Sequence, residues 1–235
     1  HRRDGYLYTL FVPARAHEAF PCFDQPDLKA GYALTLSMPG DWDAVANAPE
    51  RSRRIERARD ATTLVVSFED TDPLPTYLVA FAAGRFSVET AFRAGRVIRM
   101  FHREEDDDLV ARNRRAIVDQ HVAALEWLES YTRVPYPFTK FDILLVPSLQ
   151  FGGMEHPGAI YYNAASLLLD VSATRPQLIA RAHLIAHETA HMWFGNLVTM
   201  RWFDDVWLKE VFANFMAARI VASAFPEVDQ DLPFL

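Results

Sequence analysis

At 235 residues, 50% of them hydrophobic and 23% charged, the chain can bury a substantial core, which excludes a disordered polyelectrolyte. A net charge of -7 argues against a nucleic-acid surface, which needs clustered Lys and Arg. The single Cys22 excludes an intrachain disulfide framework and any multi-cysteine metal site, so metal ligands must come from histidines and carboxylates.

The chain opens on His1 directly into a strand-like alternation and stops at DLPFL just after a helical pattern, so it reads as a piece of a longer protein. No apolar run reaches the ~18 residues of a membrane span. Up to residue 103 the pattern is that of strands: YLYTLFV, YALTLSM, TTLVVSF, TYLVAFAA and RVIRMF are short, rich in β-branched and aromatic residues, and separated by Pro, Gly and Asp clusters. The period then turns helical. Leu109, Ile117, Val118, Val122, Leu125 and Leu128 form the apolar face of a long helix ending before Pro135, and the acidic run EEDDD at 104–108 suits the positive end of that helix's dipole. A domain boundary is therefore expected near residue 103.

Next come a strand FDILLVP, a glycine turn FGGMEHPG, and a second strand around Ala159 to Tyr162, expected to share one sheet. Two helices follow. The first has Pro176 near its first turn and an expected end at Gly195; the second starts at Asp204 or Asp205 and stops before Pro226.

The chemistry is concentrated in ARAHLIAHETAHMWFGNL. His187 and His191 are four apart on a helix, so their imidazoles leave one face a turn apart and can share one tetrahedral ion, with Glu188 between them as H-E-x-x-H. Glu210 follows His191 by nineteen positions, enough for the first helix to end, a loop to turn and the next helix to return alongside. Two His and one Glu leave zinc an open fourth position, the ligand set of a catalytic site. His183 has the same spacing from His187, but a general base must flank the metal water. The frame around Glu188 therefore leaves His183 to packing or to support of the ligands. Asp204 and Asp205 either accept an imidazole N–H from a ligand or cap the second helix.

HETAHMWFGNLVTMRWFDDVWLKE resembles, almost position by position, the zinc core of the gluzincin aminopeptidases, the group of aminopeptidase N and the leukotriene hydrolases. FPCFDQPDLKAGYALTL and TYLVAFAAGRF are similar to segments of that family's N-terminal β domain, and FGGMEHPGAIYY to its exopeptidase motif G-x-M-E-N, so the resemblance covers nearly the whole chain. It implies an α+β fold, with the C-terminal portion of an antiparallel β-rich N-terminal domain at residues 1–103. The first part of a truncated thermolysin-like zinc metallopeptidase domain would then occupy residues 104–235.

The resemblance further implies one Zn2+ at His187, His191 and Glu210, Glu188 as the base, and Glu155 as the carboxylate that holds the free α-amino group of a peptide. Gly152 and Gly153 would let the substrate backbone lie against the strand edge, beside Met154 and His156.

The chain also departs from the family pattern. His156 stands where the family has Asn, Leu10 and Val12 stand at polar positions that help cradle the amine, Lys209 replaces an Asn before the third ligand, and Gln25 a Glu. Amine recognition is expected to be weaker because of His156, Leu10 and Val12. The family's tyrosine for the tetrahedral oxyanion falls beyond residue 235, while the last tyrosine here is Tyr162, so the chain alone is expected to be a poor catalyst. The missing C-terminal part is expected to pack on the last helix. The function implied is that of a zinc aminopeptidase. The alternatives are a degenerate zinc-fold scaffold that binds peptides and a zinc hydrolase of a non-peptide substrate.

Overall fold

The computed structural model describes residues 1–3, 5–58 and 61–224. Its first half is made of strands: β1 (Arg2–Arg3), β2 (Tyr6–Tyr8), β3 (Thr35–Pro39), β4 (Asp43–Ala46), β5 (Glu50–Arg57), β6 (Thr62–Phe68), β7 (Phe81–Gly84), β8 (Ser87–Arg93) and β9 (Arg96–His102). Then follow α1 (Asp107–Thr132), β10 (Phe141–Val146), β11 (Gly153–Met154), β12 (Ala159–Asn163), α2 (Ala164–Leu167), α3 (Arg175–Ala190) and α4 (Val206–Ala224). The expected stop before Pro226 lies outside the described residues. No helix among the described residues is long and apolar enough to cross a membrane.

Two antiparallel sheets form the N-terminal region, in the orders β1-β2-β7-β4 and β3-β6-β5. The run TTLVVSF is strand throughout, whereas TYLVAFAA divides. Thr76–Leu78 close a 3-10 turn behind Pro75, with Tyr77 and Leu78 buried, and only Phe81–Gly84 enter a sheet. β5 was not expected, because ERSRRIER has no apolar alternation. It is an exposed edge strand dressed with charge, where Arg53 pairs with Glu50 and Asp43, and Arg51 with Glu69.

The third sheet, in the order β11-β12-β10-β9-β8, takes strands from both sides of residue 103. β10 runs parallel to both β9 and β12, and all six of its residues are buried. The run FDILLV, apolar but for Asp142, is explained by this two-sided burial, and Asp142 is paired with Arg99 and Lys140. Ile143 and Leu145 join the helical core with Ile98, Met100, Ile160 and Tyr162. Leu144 and Val146 point the other way, into a cluster with Tyr6, Tyr8, Tyr77 and Phe101 from the N-terminal half. The sheet is thus the middle layer between the helices and the N-terminal strands.

α1 starts on Asp106, whose carboxylate accepts from the Leu109 N–H at 3.0 Å, and ends on Arg133 in the left-handed region (φ 60) before Val134 and Pro135. α3 opens at Thr174, whose N–H donates to the Gln177 side chain at 2.8 Å. Its regular bonding stops at Ala190, five residues before the expected Gly195. From there Asn196 N–H reaches the His191 carbonyl, Leu197 that of Met192 and Val198 that of Trp193, each five residues back. The widened turn is pinned by Asn196, buried with its amide donating to the Glu155 carbonyl at 2.7 Å. His191, which caps the helix in right-handed helical conformation, still projects along the face of His187.

Candidate metal centre

α3 packs against α4, and between them His187, His191 and Glu210 converge. The Nδ1 of His191 lies 2.9 Å from the carbonyl oxygen of Phe194, which can only accept, so Nδ1 holds the proton and Nε2 is left as a bare lone pair. His187 is oriented in the same way by the Asn214 Oδ1 at 3.0 Å. The two Nε2 atoms then face each other at 3.0 Å, and Glu210 Oε2 lies 3.4 Å from one and 3.6 Å from the other.

Three lone-pair donors without a proton to share repel unless a cation sits among them. Donors bound at about 2.0–2.1 Å to a tetrahedral ion stand roughly 3.3 Å apart, so this N2O set fits zinc in both spacing and donor type. The local field agrees. Burial works against charge on His187, but the carboxylates of Glu210 and Glu188 outweigh it and hold the imidazole above its ordinary value. Burial also raises Glu210, yet the adjacent imidazoles and Lys209 outweigh it and keep its carboxyl far below the usual carboxylate range, so the spot between the donors favours a positive charge.

Glu188 is buried beside this group, one of its oxygens has no partner among the described residues, and burial pushes its carboxyl well above the usual range. Gly153 makes room for it: a Cβ there would overlap the Glu188 carboxyl, and one on Gly152 would press on Leu184 at 3.3 Å. The bare strand edge expected to meet a substrate is, over Gly153, occupied by the chain's own carboxylate.

Glu155 is buried within reach of Glu188 and His191. Burial raises its carboxyl, but Lys209 and His191 outweigh this and hold it ionised, and the Lys209 ammonium sits on its Oε1 at 2.5 Å. Met154 is buried in the cluster of Tyr77 and Leu10, with Val12 packed against it. His156 is fully buried with its ring 4.5 Å from that of Tyr161, and burial lowers its pKa to about 4.

His183 is not part of the convergent group; its ring lies 6.5 Å from that of His187. Asp204 and Asp205 are exposed in a 3-10 turn (Phe203–Asp205) with no side-chain cap, and the Nδ1 atoms of His187 and His191 have Asn214 and Phe194 as partners instead. Asn214 went unrecognised in the sequence. The signal was there, since it follows Glu210 by four and so shares its helix face. Lys29 was missed as well: from the segment FPCFDQPDLK it donates to the carbonyls of Asn196 and Leu197, at 2.9 and 3.2 Å, and so clamps the turn behind His191. Asp24 of the same segment accepts from the Thr76 hydroxyl at 2.6 Å.

Residues 117–234 match the Peptidase family M1 domain, and residues 2–78 the Peptidase M1 N-terminal domain. The chain is 34% identical over 229 residues to Probable aminopeptidase 2 of Sulfurisphaera tokodaii, an alignment that covers 95% of this chain and 28% of the relative. It is 35% identical over 225 residues to Aminopeptidase M1 of Arabidopsis thaliana, covering 93% and 24%. With Leucyl aminopeptidase of Saccharolobus solfataricus it shares 32% over 235 residues, covering 95% and 28%. The chain therefore spans about a quarter of the length of these relatives. Antiparallel sheets leading into a helical domain with H-E-x-x-H on one helix and a glutamate on the next agree with those matches, and the chain belongs to peptidase family M1, a family of zinc metallopeptidases.

Proposed function

We propose that this chain carries the metal centre of a zinc aminopeptidase that removes the first residue of a peptide. The observation that carries the reading is the convergence of two imidazole Nε2 atoms and a Glu210 oxygen on one point, with a buried carboxyl beside them that has one oxygen unpartnered among the described residues. His187, His191 and Glu210 would hold the ion, which when bound supplies Lewis acidity toward a water and a carbonyl oxygen. Glu188 accepts the proton of the attacking water and delivers it to the leaving amine; its dry position gives it the raised proton affinity that this shuttle needs. Glu155 faces the α-amino group of the peptide, with Met154 and His156 shaping the wall around it. Residues 1–103 and 104–235 are portions of the N-terminal and catalytic domains, with β8 and β9 paired into the sheet of the second.

The test is Glu188→Gln in the full-length protein. Bound zinc is expected to stay at wild-type level while hydrolysis of aminoacyl chromogenic amides is lost, because the base is removed and the ligands are untouched. Wild-type turnover in this variant eliminates Glu188 as the base. A second reading, a non-catalytic peptide-binding relative, is favoured by one observation, the lysine already seated on Glu155. Zinc binding with no amide hydrolysis in the wild-type protein selects it.

A further inference from the structure

Lys209 is an unusual neighbour for a carboxylate that is to receive a substrate cation. Its side chain is 6% exposed, and its ammonium bridges Glu155 Oε1 at 2.5 Å and Glu210 Oε1 at 2.8 Å. The stem is held along its length. A Cβ on Gly195 would stand 3.2 Å from Lys209 Cδ, so the turn has a glycine where the lysine passes, and the Tyr77 ring lies 5.7 Å from the ammonium. Tyr77 is itself buried, with its hydroxyl on the Gly195 carbonyl at 3.4 Å. At the two positions where the family pattern is polar, Leu10 is buried in the apolar cluster of Tyr77 and Met154 and Val12 packs against it, so neither brings a charge to the amine site.

We propose that Lys209 is a built-in occupant of the amine-binding carboxylate and sets the specificity of the site. It supplies from within the chain the cation that a free peptide N-terminus would otherwise bring. This rests on the reading of Glu155 as the group that faces the substrate's α-amino position. A substrate ammonium approaching Glu155 meets a carboxylate that already holds a cation, and it feels the like charge of Lys209 a few ångströms away. The free amine therefore gains little there. Ligands whose α-position is neutral compete with amine-bearing ligands on nearly equal terms.

The experiment uses the zinc-loaded full-length protein and two ligands that differ only in the α-ammonium, leucine hydroxamate and 4-methylpentanoyl hydroxamate, with dissociation constants from calorimetry. The wild-type protein is expected to bind the two within a few-fold of each other. Lys209→Asn, compared at equal zinc content, is expected to favour the amine-bearing ligand by about tenfold or more, the worth of a charge-assisted bond to a freed carboxylate. Lys209→Met gives the same expectation if Asn fails to fold, and the wild-type ratio is decisive by itself if both fail. A wild-type preference for the amine of tenfold or more overturns the proposal. A smaller preference in Lys209→Asn than in wild type also overturns it, since Lys209 would then be positioning Glu155 for the amine. Adding Glu155→Gln to Lys209→Asn must abolish the gained preference; if the preference persists, the role given to Glu155 fails. Failure of both hydroxamates to bind sinks the metallopeptidase reading and the proposal with it.

Discussion

An imidazole binds a metal only with the nitrogen that is not protonated, so the partner of the other nitrogen decides whether a histidine is a ligand. For His191 that partner is a carbonyl of its own turn, fixed by the backbone; for His187 it is the side chain of Asn214 on the neighbouring helix. Asn214→Ala removes this partner and leaves the imidazole free to rotate and change tautomer. We expect zinc affinity to fall about 10- to 100-fold, with His187 and His191 untouched. Competition against a metal chelator measures it, and unchanged affinity would show that packing alone orients His187. The contrast also explains what the sequence disclosed at this scale. His187, Glu188 and His191 are read from one helical turn and Glu210 from the length needed to return, whereas Asn214 and Lys29 act across elements whose packing no local pattern reveals. The lysine on Glu155 was visible as a departure at position 209, but not its contact, which depends on how α4 docks against the strand edge.

At the scale of elements, periodicity was informative where burial is one-sided or complete and silent where it is absent. β6 and β10 were legible because they lie inside sheets; β5 was not, because both its faces meet solvent and its alternation carries no apolar signal. The end of α3 was read five residues late because Met192, Trp193 and Phe194 continue the apolar pattern through a turn that is no longer α-helical.

α1 holds a group whose effect the apolar pattern does not show. His121 is fully buried between α1 and the sheet, its Nδ1 2.7 Å from the Ile117 carbonyl and its Nε2 2.9 Å from the Tyr162 hydroxyl, and burial lowers its pKa to about 4. The fold therefore keeps it neutral, donating through Nδ1–H and accepting from Tyr162. Because the folded pKa lies below the unfolded value near 6.5, the stabilisation is fully present above about pH 6.5. It is lost as pH falls toward 4, on the order of 3 kcal/mol over that window. We expect the unfolding midpoint of the wild-type protein to drop through this range, and His121→Gln, which no longer titrates, to drop less. An identical pH profile in the two proteins would mean that His121 is not the group being protonated.

Across the whole molecule, the halves are joined by more than the chain connection at residue 103. Asn47 donates to the carbonyls of Leu78 and Pro157 and accepts from Ala80 N–H, tying the N-terminal strands to the turn before β12, while Lys29 reaches the turn behind His191. Those contacts leave one side of α4 largely exposed. Ala213, Met216, Ala217 and Ile220 face the helical core and Glu210 with Asn214 faces α3, but Trp207, Val211 and Phe212 are 56%, 54% and 45% exposed, Phe212 with one ring face stacked on Phe194. Large apolar side chains exposed at positions 207, 211 and 212 of one helix are of the kind that drives association.

Expressed as these 235 residues, the protein is expected to self-associate through α4. Trp207→Glu with Val211→Lys should return it to the monomer without loss of stability, because both side chains are mostly in water and support no core contact. Sedimentation velocity over a wide concentration range separates the outcomes: the weight-average mass should rise with concentration for the wild-type chain and stay at the monomer value for the variant. A wild-type chain that remains monomeric throughout would mean that the face of α4 is covered in solution. The variant would then be expected to lose stability instead of gaining solubility.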